Sequence, residues 1–192
     1  MKDWIGDAGF INGLRRKDCS DPHDYYATEP KATKHLLEAE KFCNHIWEPA
    51  CGEGHISKVL LEHGYCVFST DLVDRGFGTG GVDFFGAAPL NEYEFDIITN
   101  PPYRCAQEFC AKALEIVPVG SKVALLLKLT FLEGKKRRNF FDKHPPEKVL
   151  VFSSRVCCGK NGDFKPGQNA VTYAWFIWRK GYQGAPVIKW IG

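Results

Sequence analysis

Four consecutive residues, Asn100-Pro101-Pro102-Tyr103, combine groups able to hold and align a planar amine. They close a short apolar run, Phe95-Asp96-Ile97-Ile98-Thr99, that reads as a strand. Both prolines fix φ at about −65° and lack an N–H, so a ladder cannot continue through them. A residue that precedes proline is driven to extended geometry, which keeps Asn100 and Pro101 out of a helix. The product is a rigid ledge bearing a side-chain amide, backbone carbonyls and an aromatic ring. An NH2 group on a planar substrate can donate to the Asn100 side-chain oxygen and the Pro101 carbonyl while Tyr103 stacks on its ring. A tight turn with a capping Asn is the plainer reading of the same residues, and a second motif weighs against it.

That motif lies upstream. Residues 46–54, IWEPACGEG, read as a strand running into a glycine-rich turn, and residues 55–63 follow with Ile56, Val59 and Leu60 at helical spacing. Gly52 and Gly54 permit a tight turn and close backbone approach to a ligand at a helix N-terminus. Residues 65–70 are strand-like and end in Asp71, with Leu72 next. A carboxylate at the end of a second strand, about 20 residues past a glycine turn, is placed to accept hydrogen bonds from ribose hydroxyls. Capping of the following turn is the alternative use of Asp71. Three such elements in this order point to one site.

Glu48 to Gly54 followed by Asn100 to Tyr103 resembles the S-adenosylmethionine-dependent amino-methyltransferases, in particular the adenine-N6 DNA enzymes, whose cofactor motif precedes the catalytic one. Residues 131–134, 152–155 and 171–178 are similar to small phage and prophage members, so the likeness runs from about residue 24 to the C-terminus. It implies S-adenosylmethionine as cofactor, held by Glu48, Ala50, Cys51, Gly52 and Gly54, by Asp71 and Leu72, and by Asn100. Within residues 24–30, Thr28 and Pro30 match the family's Thr-Pro segment at the methionine end of the cofactor. Asp83 and Phe84 match its acidic residue on the adenine amino group and its aromatic ring beside the adenine. Asn100, Pro101, Pro102 and Tyr103 take the catalytic role.

The implied reaction transfers a methyl group to the exocyclic N6 amine of adenine in DNA. A base inside a duplex cannot reach such a ledge, so the adenine must be flipped out or unpaired, at a cost of a few kcal/mol. Stacking on Tyr103 returns roughly 1–3 kcal/mol. Phe164, in the loop of residues 159–168, is the candidate second aromatic wall. Lys135, Lys136, Arg137 and Arg138 are candidate phosphate contacts, which would make binding salt-dependent; a solvated helix face is the plainer reading of that run. Asn in the first ledge position favours adenine over cytosine N4 on resemblance. Adenine in RNA and a protein glutamine amide stay open, since each presents NH2 on an sp2 carbon, as does a non-catalytic cofactor-binding module.

The elements that must position these residues alternate strand and helix, which implies an α/β fold with a mainly parallel sheet; the resemblance implies that it is Rossmann-like, of class I methyltransferase type. Helices are expected over residues 31–43, 55–63 and 106–117. Strands are expected from residue 46 into the glycine turn and over 65–70, 82–85, 95–99, 122–129, 149–152 and 171–178, with 187–191 as an edge. The expected sheet has seven mainly parallel strands, one antiparallel near the C-terminus, and helices on both faces. Residues 1–23 read as an N-terminal arm and 24–192 as one methyltransferase domain without a separate target-recognition domain.

Composition sets bounds. A 192-residue chain with 44% hydrophobic and 25% charged residues has the make-up of a soluble globular protein, and its net charge of +2 is too small for a general nucleic-acid magnet. No apolar run approaches the roughly 18 residues of a membrane span, so a cytoplasmic location is expected. The eight cysteines (Cys19, Cys43, Cys51, Cys66, Cys105, Cys110, Cys157 and Cys158) and six histidines have no ligand spacing, so reduced thiols and no metal are expected. The oligomeric state is open.

Overall fold

The most apolar run of the chain becomes the centre of its sheet. In the computed structural model, which describes residues 25–90, 92–160 and 171–192, strand β5 (Lys122–Lys128) buries residues 123–127 almost completely. Successive side chains of a strand point to opposite faces. Val123, Leu125 and Leu127 therefore join one hydrophobic cluster, and Ala124 and Leu126 another. The first cluster is completed by helix α3 (Ala106–Ile116) and by Phe140 of α4 (Lys135–Lys143). The second is completed by α1 (Pro30–Ala39) and α2 (His55–Glu62). Helices thus cover both faces.

The other strands are β2 (His45–Glu48), β3 (Cys66–Ser69), β4 (Asp96–Thr99), β6 (Lys148–Phe152), β8 (Tyr173–Arg179) and β9 (Val187–Ile191). They lie in the order β3-β2-β4-β5-β8-β6-β9, and only β8 runs against its neighbours. The expected mainly parallel, seven-stranded α/β architecture is borne out. A separate two-stranded ladder pairs β1 (Tyr26–Thr28) antiparallel with β7 (Cys158–Lys160).

Three local expectations need correction. Residues 82–85 do not form a strand: Asp83 caps a 3-10 turn over Phe84–Gly86, its carboxylate accepting from Phe85 N at 3.0 Å. The apolar pair there is used for packing, because the Phe84 ring stacks on Phe109 at 4.2 Å and meets Trp47 edge-on at 5.4 Å. The seventh strand is β9, added parallel to β6 at the opposite edge. Helix α1 ends at Ala39, short of residue 43, because Glu40 turns extended and sends its carboxylate to Lys122 and Lys148 at 2.7 and 2.5 Å. Cys43, Cys51, Cys66, Cys110, Cys157 and Cys158 are not disulfide-bonded, but Cys105 is, against the expectation of reduced cysteines. Pairing depends on Cα proximity in space, which spacing in the chain does not report.

Candidate active site

From β2 the chain crosses to β3 on one side, and β4 then takes the other side of β2. Such a reversal opens a crevice outside the carboxyl ends of the two strands. The glycine turn leaves β2 at that crevice and the Asn-Pro-Pro-Tyr ledge leaves β4 there.

One cleft is bordered by Thr28, Glu48, Ala50, Cys51, Asp71, Leu72, Asp83, Phe84 and all four ledge residues, Asn100, Pro101, Pro102 and Tyr103. Pro30, Gly52 and Gly54 are not among its walls, nor are Lys135, Lys136, Arg137 and Arg138. Phe164 and residues 1–23 lie outside the described residues.

The glycines act from behind the wall. Gly52 and Gly54 have φ of 54° and 79°. A Cβ on Gly52 would stand 2.2 Å from the Tyr25 ring, and one on Gly54 2.4 Å from the Phe77 ring. The turn is therefore fixed by two aromatic rings that only glycine lets approach. Tyr25 also accepts a hydrogen bond from Glu53 N at 3.2 Å, meets His55 Nδ1 at 3.3 Å, and carries the Arg75 guanidinium over its ring at 4.4 Å. Burial pushes the Tyr25 hydroxyl up to about 12, which keeps it protonated. Tyr25, His55 and Arg75 border the cleft and were not singled out in the sequence, although Tyr25 lies in the 24–30 segment and His55 begins the 55–63 helix.

The acidic residues divide their oxygens between the fold and the cleft. Asp71 accepts from Gly52 N at 2.8 Å through Oδ2 and from Val73 N at 2.9 Å through Oδ1, tying the glycine turn to the end of β3. Each carboxylate oxygen has two lone pairs, so both retain capacity for a ligand hydroxyl. Glu48, only 1% exposed, accepts through Oε2 from Ser57 N at 2.8 Å and from Ser57 Oγ, and so caps α2. Burial pushes its carboxyl up to about 8.

At the ledge the Asn100 amide is held from one end. Its Nδ2 donates to Tyr26 O at 2.9 Å and to Thr28 Oγ1 at 3.1 Å. Its Oδ1 is buried with no hydrogen-bond partner among the described residues. Tyr103 is not a bare platform. Its ring lies 5.7 Å from Tyr26 and 5.8 Å from Tyr173, and the Lys128 ammonium stands 5.1 Å over it. A base that stacks on that face displaces a cation from it. The Tyr103 hydroxyl is buried beside Cys158 and Tyr173, and burial holds it well above its ordinary pKa.

Of the basic run, Arg137 packs over Phe131 at 4.9 Å and Arg138 pairs with Asp142 at 3.0 Å, while Lys135 and Lys136 are exposed on the first turn of α4. Among the described residues no three His, Cys, Asp or Glu side chains gather as a metal site, and no helix is long and apolar enough to cross a membrane.

No family model and no curated protein matches the chain. Solved structures do. A modification subunit of a provisionally assigned type I restriction enzyme from Vibrio vulnificus superposes with a TM-score of 0.60 at 11% identity, over 88% of this chain and 47% of its own. The chain thus spans about half the length of that subunit. A provisionally named RNA methyltransferase from Pyrococcus horikoshii gives 0.56 at 17% identity over 85% and 92%. A provisionally named class I S-adenosylmethionine-dependent methyltransferase from Listeria monocytogenes gives 0.52 at 13% over 83% and 62%. At these identities the likeness establishes the fold.

Proposed function

We propose that a chain with this Rossmann-like methyltransferase fold transfers a methyl group from S-adenosylmethionine to the exocyclic N6 amine of adenine in DNA. The observation that carries the reading is the Asn100 amide: both its protons are taken by β1, and its buried oxygen has no partner among the described residues. A buried acceptor left unmade costs free energy unless a ligand supplies the donor. An NH2 group is such a donor.

Two acidic side chains at the cleft support cofactor binding there. Asp71 keeps lone pairs for ribose hydroxyls after fixing the glycine turn, and Asp83 keeps Oδ2 for an amino group after capping the Phe84 turn. S-adenosylmethionine would supply an electrophilic methyl on a sulfonium. The chain's own residues supply alignment. Asn100 Oδ1 and the Pro101 carbonyl accept the two amine protons, which favours a pyramidal nitrogen with its lone pair directed out of the ring plane. The same oxygens stabilise positive charge developing on that nitrogen, so preorganised dipoles carry the rate without a dedicated base. The surplus proton passes to water.

DNA as the acceptor is supported by the fold shared with a restriction-modification subunit and by exposed Lys135 and Lys136 at the start of the helix that follows β5. The test is tritiated methyl transfer to unmethylated single- and double-stranded DNA, with RNA and cell protein as parallel acceptors. Label recovered as N6-methyladenine in DNA is expected. Label in RNA, in N4-methylcytosine or in a glutamine amide would keep the mechanism and replace the substrate. Binding of S-adenosylmethionine without transfer to any acceptor would leave a non-catalytic module. Asp71→Ala should weaken cofactor binding, measured by calorimetry.

A further inference from the structure

The ledge is steered from outside the main sheet. Asn100 makes its two strong side-chain contacts with residues 74 and 72 positions earlier, Tyr26 and Thr28, both on β1. A three-residue strand cannot hold its own geometry, and β1 is fixed by β7. Thr28 sits opposite Cys158 and Tyr26 opposite Lys160 in the ladder. Glu29 locks the next position, donating its N–H to Cys157 O at 3.1 Å and accepting from Cys157 N through Oε2 at 2.9 Å.

We infer that Thr28 is a positioning residue for transfer: its Oγ1, presented by the β1–β7 pair, takes the second amide proton and so locks the orientation that Tyr26 O selects, with the Asn100 oxygen left for the acceptor. The reasoning rests on donor and acceptor types. Tyr26 O can only accept, so the amide end beside it must be the NH2 group. Thr28 Oγ1 takes the second proton. Both donors are then spent on β1, and Oδ1 is turned away from it. The torsion that swings an amide is broad and roughly two-fold, so it selects no end by itself. A reversed amide would set Oδ1 against Tyr26 O and offer N–H groups to an acceptor amine that needs oxygen. Thr28 is 2% exposed, so bulk water has little access to take the place of its hydroxyl. The ledge thereby recognises a donor group and rejects a carbonyl or ring-nitrogen lone pair in the same place. The inference depends on the amine-acceptor reading of the ledge and assigns Thr28 a role other than the cofactor contact implied by resemblance.

The experiment compares Thr28→Val, which keeps the β-branched shape and removes the acceptor, with Thr28→Ser, which keeps the acceptor and removes the methyl group. Three readouts are taken on the full chain: kcat and KM for the acceptor, cofactor affinity by calorimetry, and solvent exchange of the Asn100 side-chain NH2 protons by NMR. Thr28→Val should lower kcat roughly tenfold, leave cofactor affinity unchanged and speed the Asn100 exchange. Thr28→Ser should restore all three. If Val crowds the site and the protein melts early, Thr28→Ala replaces it with the same expected pattern. Weakened cofactor binding with kcat unchanged would make Thr28 a cofactor contact and overturn the inference. So would Asn100 exchange that ignores the substitution, or a Ser variant that behaves like Val. Wild-type protein inactive on every acceptor would sink the methyltransferase reading instead, while the exchange measurement would still decide how the amide is held.

Discussion

Replacing Asn100 by Asp preserves its size but sets a carboxylate oxygen against Tyr26 O, which can only accept and where an N–H bond now runs. Oxygen facing oxygen in a buried place costs on the order of 1–3 kcal/mol. Asn100→Asp should therefore lower the melting temperature and abolish transfer, whereas Asn100→Ala should abolish transfer with cofactor affinity nearly intact. Calorimetry and thermal melts separate the two. Glu48 gives a second prediction, in pH. Its carboxyl titrates at the ordinary 4.5 in the unfolded chain and at about 8 in the folded protein, because burial disfavours its charge. The folded state therefore holds a proton that the unfolded state has lost between those values, and stability falls as pH rises from 4.5 through about 8. Glu48→Gln, neutral throughout, should flatten the melting temperature against pH over that window. At this scale the sequence pointed to the right cleft where residue types cluster, as in Asn-Pro-Pro-Tyr, all four of which border it. It was opaque where a role depends on long-range contact: Thr28 on Asn100, Lys128 on Tyr103, Arg75 on Tyr25.

The glycine turn is the element most exposed to a single change. Gly54 combines a φ of 79° with a Phe77 ring 2.4 Å from where a Cβ would be. Gly54→Ala should destabilise the protein by about 1–3 kcal/mol, read from denaturant unfolding, with cofactor affinity falling alongside. Strands and helices with strong periodicity, such as β5 and α2, were legible because their apolar pattern is the packing itself. Residues 82–85 misled because Phe84 inserts its ring between Trp47 and Phe109, and a buried ring leaves the same mark in a sequence as a buried strand. The end of α1 was misplaced for a related reason. The ion pairs that pull Glu40 out of the helix join it to Lys122 and Lys148, far along the chain.

Across the whole molecule a net charge of +2 gives little general attraction for a polyanion, so any hold on nucleic acid must be local. If Lys135 and Lys136 contact phosphates, Lys135→Ala together with Lys136→Ala should reduce the slope of log affinity against log salt by about 2. An unchanged slope in a filter-binding titration would return both lysines to a solvated surface. The overall architecture was readable from the alternation of elements. The order of the far strands was not, since nothing in a linear pattern says that β8 is inserted between β5 and β6.

That insertion sets a timetable for synthesis. β5 and β6 are not paired with each other; β8, seven residues long, lies between them and joins β6 to the side of β5 that β4 leaves open. The cleft's own strands, β2, β3 and β4, leave the ribosome long before β8, with the outer side of β5 still bare. Leu125, Leu126 and Leu127 then wait for Phe176, Trp175 and Ala174 to arrive beside them. During that interval the nascent chain holds the cleft on an unfinished wall, an aggregation-prone stage that residues 173–179 bring to an end.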